Sequence, residues 1–310
     1  MKIIGYEEIN SQLLNSLKHN KLHHANLIFG KKGIGKSSFI KEFCLENLRS
    51  SSNFSSNTDF HPDLKIITFL DEKKEIGINQ IREISEFLNN TSACGNERFI
   101  IIDSACQLTN EASNSLLKNL EEPHKNNYFF LIAHNLSNVI PTLRSRCNLI
   151  KIPDLLETQF NEIILQKNHN LNLDELRFLK TITNNSPANA IDNGENLIKY
   201  YQFFLQSILT QKINDEFLKK IIDKTFPFII IEKIINNFLC RFIKNYQKLN
   251  QDFFFEELEV FNLLSLRFSY LQAIEIFDSI TDKLNFITHG NLDRKIFMIN
   301  ILNQLCYEKI

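Results

Sequence analysis

Gly30-Lys31-Lys32-Gly33-Ile34-Gly35-Lys36-Ser37 fits the phosphate-loop pattern, G-x-x-x-x-G-K-[ST], at every fixed position. Glycines at these places let backbone N–H groups close around phosphate oxygens with no Cβ in the way. The lysine reaches the terminal phosphates, and the serine hydroxyl holds Mg²⁺. The flanking residues supply the context. Ala25 to Phe29, broken only by Asn26, reads as a buried strand, and residues 37–45 carry apolar side chains at helical spacing. A strand, a glycine turn and a helix N-terminus together make an anion site. A chance match in a surface loop is the plainer alternative, and the flanks weigh against it.

Working downstream, His61-Pro62-Asp63 leads into a strand from Leu64 to Phe69, and a helix with Ile78, Ile81, Ile84 and Leu88 on one face follows a charged turn at residues 71–75. Arg98 to Asp103 is a second buried strand, ending in a carboxylate. Thr109 is placed to cap the next helix, Glu111 falls in its first turn, Leu116, Leu117 and Leu120 face inward, and Pro123 stops it. Tyr128 to Ala133 is a further apolar strand. Strands that alternate with helices and are apolar on both faces indicate a mostly parallel sheet covered on both sides, an α/β domain. Such sheets bind ligands at the carboxyl ends of their strands, where the phosphate loop, Asp103 and Asn135 fall. Upstream, Ile3 to Tyr6 reads as a short strand or turn, and Ile9, Leu13, Leu14 and Leu17 mark an amphipathic helix. Residues 49–60 read as a polar surface loop.

The chain of 310 residues is long enough for two or three domains, and 27 Phe without a Trp point to Phe-filled interiors. With a net charge of −1 no domain-wide basic field announces a nucleic-acid binder, and local basic patches stay open. Lys219, Lys220, Arg241, Lys244 and Lys248 read as solvated helix faces rather than a DNA track. No apolar run approaches bilayer length and the N-terminus has no signal-like apolar core, so no membrane partner and a cytoplasmic location are expected. Six cysteines with no C-x-x-C read as small residues in or near cores, with neither zinc nor disulfides. After Pro153 short helical patterns run to residue 192. Between Gly194 and Gly290 there is one proline and no glycine, so this part is expected to be all helical.

Asp103, ending its strand, is the natural second contributor to a Mg²⁺ site in phosphate-loop NTPases; a strand-end carboxylate capping a turn is the alternative. The following residues are Ser104, Ala105, Cys106 and Gln107, so no carboxylate stands ready to activate water, and Glu111 is read as a first-turn helix charge. Hydrolysis within this chain is expected to be impaired. Arg144 and Arg146, in Pro141-Thr142-Leu143-Arg144-Ser145-Arg146-Cys147, precede another short apolar run, Leu149 to Ile152. An arginine at a sheet edge can serve a nucleotide held by a neighbouring subunit, an effect of about 10³–10⁵ in rate in known cases. On spacing alone, a salt-bridged surface arginine is the preferred reading.

Several motifs, taken in order, resemble the delta-prime family of bacterial clamp-loader subunits, within the AAA+ superfamily. They are residues 24–30 running into the phosphate loop, His61-Pro62-Asp63, residues 78–82, Asp103-Ser104-Ala105, residues 114–123 (Asn-Ser-Leu-Leu-Lys-Asn-Leu-Glu-Glu-Pro) and residues 141–147 ending Ser-Arg-Cys. The likeness is dense over residues 1–152 and faint beyond, with a late echo at residues 291–295. It implies a P-loop AAA+ domain over 1–152, a small helical lid over 153–195 and an all-α collar over 196–310. Gly30, Gly33, Gly35, Lys36, Ser37, Asp103 and Asn135 would bind nucleotide, with ATP and Mg²⁺ as the ligands. Arg146 would act in trans on a neighbouring ATPase subunit. The implied partners are delta and gamma/tau subunits in a heteropentamer, a sliding clamp and primed DNA. Three departures stand out. The family's usual zinc cysteines are missing from residues 49–60, so no zinc is expected. Ser104 follows Asp103, and Ala188 occupies the lid-arginine position in Asn185-Ser186-Pro187-Ala188. The last two separate this chain from an ATP-hydrolysing gamma/tau-like motor subunit, the alternative within the family. A phosphate-loop kinase for a small molecule is the third possibility, disfavoured by the long helical end.

Overall fold

The computed structural model describes residues 4–51, 60–69, 75–93, 97–223, 225–249, 252–289 and 293–306. The chain forms two compact units, one of Met1–Ile163 with Ser186–Ala188 and one of Ile164–Asn185 with Asn189–Ile310.

The first unit is built on β1 (Ala25–Phe29), β2 (Leu64–Ile67), β3 (Arg98–Asp103), β4 (Asn127–Ala133) and β5 (Asn148–Lys151), all parallel, in the order β2-β3-β4-β1-β5. Side chains alternate across a strand, and here both faces are covered. Phe99, Ile101, Tyr128, Phe130 and Ile132 pack with α1 (Glu7–Lys18) and α2 (Lys36–Ser51). Ile100, Ile102, Phe129, Leu131 and Ala133 pack on the other face with α3 (Ile78–Asn89) and α4 (Asn110–Glu121). The expected doubly covered parallel sheet is therefore present. Thr109 caps α4 by accepting from the Ala112 N–H.

Some boundaries differ from expectation. Helix α2 continues through residues 49–51, because Leu45 and Leu48 extend its buried stripe; the rest of the expected loop, 52–59, lies outside the described residues, as does most of the charged turn at 71–75. Strand β2 stops at Ile67, and the next carbonyl, Thr68, accepts from the Gln80 side chain instead (2.7 Å). Arg98 is a further tie. Its guanidinium donates to the carbonyls of Phe87 (2.9 Å), Leu88 (3.2 Å) and Asn90 (2.5 Å), and to Asn127 Oδ1 (3.1 Å). The last carbonyls of a helix have no partners within it, so Arg98 caps α3 from the start of β3.

The second unit is helical among its described residues. It includes α7 (Leu173–Ile182), α8 (Pro187–Thr210), α9 (Asp215–Ile222), α10 (Phe228–Tyr246), α11 (Glu257–Ser265), α12 (Tyr270–His289) and α13 (Arg294–Cys306), the first helix of the region, α6 (Glu157–Leu165), carrying the division. Its core is aromatic, as the Phe count led us to expect: Phe178 against Tyr201 (4.8 Å between ring centroids), Phe204 against Phe238 (5.1 Å) and Phe238 against Phe261 (5.5 Å). One residue of the expected solvated face is misplaced by that reading. Arg241 is mostly withdrawn from solvent, its side chain 11% exposed, donating to both oxygens of the fully buried Glu257 (2.8 and 2.7 Å) and lying over the Phe254 ring. Glu257 also accepts from the Tyr201 hydroxyl and the Phe254 N–H. The charge went inside because four hydrogen bonds, from Arg241, Tyr201 and Phe254, converge on one carboxylate. Among the cysteines, Cys44, Cys147 and Cys306 are buried as expected, whereas Cys240 is exposed.

Two stability measurements follow from these ties. Arg98→Ala should lower stability by about 2–3 kcal/mol, since charge-assisted bonds to otherwise unpaired carbonyls are lost. Arg241→Ala should cost about 3–5 kcal/mol by stranding the Glu257 charge. Urea denaturation of each variant checks both, and an unchanged midpoint in either would contradict the corresponding tie.

Candidate functional site

At the carboxyl end of the sheet, where β1 lies between β4 and β5, the phosphate loop leads from β1 into the first turn of α2. Gly33 (φ +79°) and Gly35 (φ +93°) lie in the left-handed region, where a side chain is strained. At Gly33 a Cβ would also stand 2.0 Å from Ser186 Oγ. The loop borders a pocket of about 270 Å³. Gly33, Gly35, Lys36, Ser37 and Asp103 line it, so five of the seven expected nucleotide-binding residues are brought together.

Lys36 is 6% exposed, and its ammonium donates to the carbonyls of Gly30 (2.8 Å) and Lys31 (2.5 Å). Gly30, the sixth, thus contributes through its carbonyl. Burial pushes the Lys36 pKa down to about 8, partly offset by the nearby Asp103 and Cys106. A buried cation beside backbone N–H groups, with a serine hydroxyl and a carboxylate at the rim, suits a phosphate chain and an accompanying Mg²⁺. Among the described residues there is no group of three or more His, Cys, Asp or Glu side chains suited to a metal ion.

The seventh residue, Asn135, is placed differently. It is exposed, and its Oδ1 accepts from the Ser137 N–H (3.0 Å) and hydroxyl (2.6 Å), closing its own short turn. The residue before it, His134, faces the pocket instead. His134 sits 3.2 Å through Nδ1 from Cys106 Sγ. Burial, then Lys32 and Lys36, hold its pKa below the ordinary imidazole value against the pull of Asp103. Sequence reasoning missed both His134 and Cys106; the signal available was that His134 directly follows a central apolar strand. Ser104, at the position after Asp103, lines the pocket and adopts φ 65°, ψ 50°. Left-handed backbone at a non-glycine residue costs about 1–2 kcal/mol, so the chain turns sharply there. Ala188 also reaches the pocket, its N–H donating to the Gly33 carbonyl (3.1 Å).

Arg146 is not among the pocket's lining residues. It follows α5 (Pro141–Arg144) and precedes β5, its guanidinium paired with Glu121 (2.5 Å) and donating to the Thr142 carbonyl (3.1 Å). The side chain is 38% exposed.

Residues 5–156 match the family model described as "DNA polymerase III, delta subunit". Among curated relatives, the DNA polymerase III subunit delta' of Buchnera aphidicola from Schizaphis graminum is 32% identical over 66% of this chain and 65% of that one. The subunit of the same name from Bacillus subtilis is 31% identical over 59% and 57%. The DNA polymerase III subunit gamma of the same Buchnera strain is 26% identical over 99% of this chain and 87% of that one. The matches to the delta' relatives thus span less than two thirds of those proteins' length. A solved gamma subunit-related protein of Thermotoga maritima aligns with 96% of this chain and 100% of that one at 19% identity and a TM-score of 0.47. No helix among the described residues is long and apolar enough to cross a membrane.

The Lys36 shift has a pH signature. An unfolded lysine titrates near 10.4, so between about pH 8 and 10.4 the unfolded chain holds a proton that the folded chain has released. Stability therefore rises with pH in that window, and the cost of burying the charge is fully present below 8. Lys36→Met removes this term, so its stability relative to the parent should shift in the parent's favour as pH is raised from 8 to 10. Urea midpoints at the two pH values measure this; parallel profiles would contradict it.

Proposed function

We propose that this chain, whose residues 5–156 match the DNA polymerase III delta-subunit family model, is a delta-prime-type clamp-loader subunit. In this reading it is a stator that presents Arg146 to the nucleotide of a neighbouring ATPase subunit. It would assemble with delta and gamma/tau subunits into a heteropentamer that opens a sliding clamp and places it on primed DNA. Residues 1–152 would be the nucleotide-binding domain, 153–195 the lid and 196–310 the ring-forming collar.

The observation that carries the reading is a division of labour. The pocket of this chain has Ser104 where a water-activating carboxylate would be needed and Ala188 where a lid arginine would be, while Arg146 is a half-exposed guanidinium outside the lining of that pocket. Lys36, Ser37 and Asp103 would hold ATP or ADP with Mg²⁺, which when bound neutralises charge on the phosphates. The backbone of the loop orients those phosphates, and Lys36 keeps its proton near neutrality because its pKa of about 8 lies above 7. With no base to deprotonate water, binding without turnover is the expected behaviour of the chain alone. Arg146 would exchange Glu121 for the transferring phosphoryl group of the neighbouring site, where such an arginine stabilises developing charge.

A motor role, as in gamma/tau subunits, is the second reading, favoured by the fully matching phosphate loop and by the likeness to a gamma subunit along 99% of the chain. A reconstituted loader separates the two. Arg146→Ala should reduce DNA-dependent ATP turnover at the adjacent site by about 10³-fold or more and impair clamp loading more than Lys36→Ala does. Unchanged turnover with Arg146→Ala, or vigorous ATP hydrolysis by the purified chain that Lys36→Ala abolishes, would favour the motor.

A further inference from the structure

We propose that Tyr6 is a positioning residue of the phosphate loop: its hydroxyl holds the Ile34 carbonyl outward, so that the Gly35 N–H faces the phosphate. This rests on the reading that the pocket takes the phosphates of a nucleotide.

The argument begins with the peptide between Ile34 and Gly35. The Tyr6 hydroxyl donates to the Ile34 carbonyl. A trans peptide is planar, and its C=O and N–H point in opposite directions. Fixing the carbonyl on one side therefore fixes the Gly35 N–H on the other, and Gly35 lines the pocket. Without such a hold this peptide would be free to reorient. Gly33 and Gly35 flank Ile34 and carry no Cβ to restrict the backbone, which is what allows the loop to close on an anion and also what leaves its N–H directions undetermined. Tyr6 supplies the determination that the glycines removed.

Tyr6 is itself firmly placed. It is 3% exposed, its ring centroid lies 5.0 Å from that of Phe39 in the first turns of α2, and its carbonyl accepts from the Asn10 N–H (2.8 Å) in α1. The Gly33 carbonyl is held similarly by the Ala188 N–H (3.1 Å). Burial pushes the Tyr6 phenol well above its ordinary pKa, so it remains a donor at any working pH. The hydroxyl thus has one partner to offer its proton to, and that partner lies in the middle of the phosphate loop.

Tyr6→Phe in the full chain keeps the ring and its contact with Phe39 and deletes only the hydrogen bond. The measurements are the dissociation constants for inorganic pyrophosphate and ADP, and the Gly35 amide signal in ¹H–¹⁵N spectra. The parent should bind, and its Gly35 amide proton should move downfield on saturation with pyrophosphate. In Tyr6→Phe pyrophosphate should bind about tenfold more weakly, equivalent to about 1.4 kcal/mol, and the Gly35 displacement at saturation should shrink. A merely structural Tyr6 would lower the melting temperature and leave that displacement intact, which would overturn the proposal, as would affinity within twofold of the parent. Absence of pyrophosphate and ADP binding by the parent would overturn the phosphate-binding reading and the proposal with it; binding by the parent with an indifferent variant overturns the proposal alone. Should Tyr6→Phe fail to fold, 3-fluorotyrosine at position 6, a stronger donor of the same shape, should enlarge the Gly35 displacement; an unchanged signal would overturn the proposal.

Discussion

An ammonium group taken out of water and hydrogen-bonded to backbone carbonyls is a costly arrangement, and the pocket beside the phosphate loop is organised around one. Lys36 reaches the Gly30 and Lys31 carbonyls because the loop doubles back on itself, and it doubles back because Gly33 and Gly35 tolerate left-handed backbone. The loop can be held in that form only on a rigid base. Strand β1 is flanked on both sides by β4 and β5, with Leu27 and Ile28 fully buried on opposite faces. Tyr6 and Phe39 then brace the loop from behind. A site whose resting state pays for a buried charge is one that gains when an anion arrives, since phosphate oxygens replace carbonyl dipoles with full charges.

What could be read from the sequence follows from the range of the forces involved. Periodicity identified the strands because alternation is a local property: Phe99 and Ile101 go to one face and Ile100 to the other with no knowledge of what covers them. The phosphate loop was legible for the same reason, its geometry being written in eight adjacent residues. The features that escaped depend on partners distant in the chain. Arg241 looks like any helix-surface cation until Glu257 and Tyr201, 16 and 56 residues apart from Arg241 and Glu257 respectively, close on the same carboxylate. His134 and Cys106 meet across 28 residues. Asn135 was expected in the pocket on strand position alone, but the strand ends at Ala133 and the short turn that follows uses the Asn135 side chain to satisfy the Ser137 N–H and hydroxyl.

The turn at Ser104 shows a local rule broken where the proposed chemistry differs from that of a hydrolase. A left-handed serine after a buried strand is unfavourable by itself, and nothing in residues 98–104 forecasts it. It brings Ser104 to the lining of the pocket with a hydroxyl rather than a carboxylate. A neutral hydroxyl is a far weaker base than a carboxylate and does not take a proton from water near neutrality, so the geometry alone does not restore a base.

Magnitudes decide whether the Arg146–Glu121 pair argues against a role in trans. Both partners are substantially exposed, 38% and 48%, and exposed ion pairs contribute about 0.2–1 kcal/mol. An arginine that accelerates phosphoryl transfer by about 10³ supplies about 4 kcal/mol at the transition state. Releasing Glu121 would therefore cost a small part of what the arginine could return in a neighbouring site. The pair also keeps the guanidinium near the end of α4 and the start of β5, two elements tied to the buried sheet, so that little side-chain entropy would remain to be lost on engagement. A resting ion pair of this strength behaves as a holder for the arginine and is compatible with its proposed service to a second subunit.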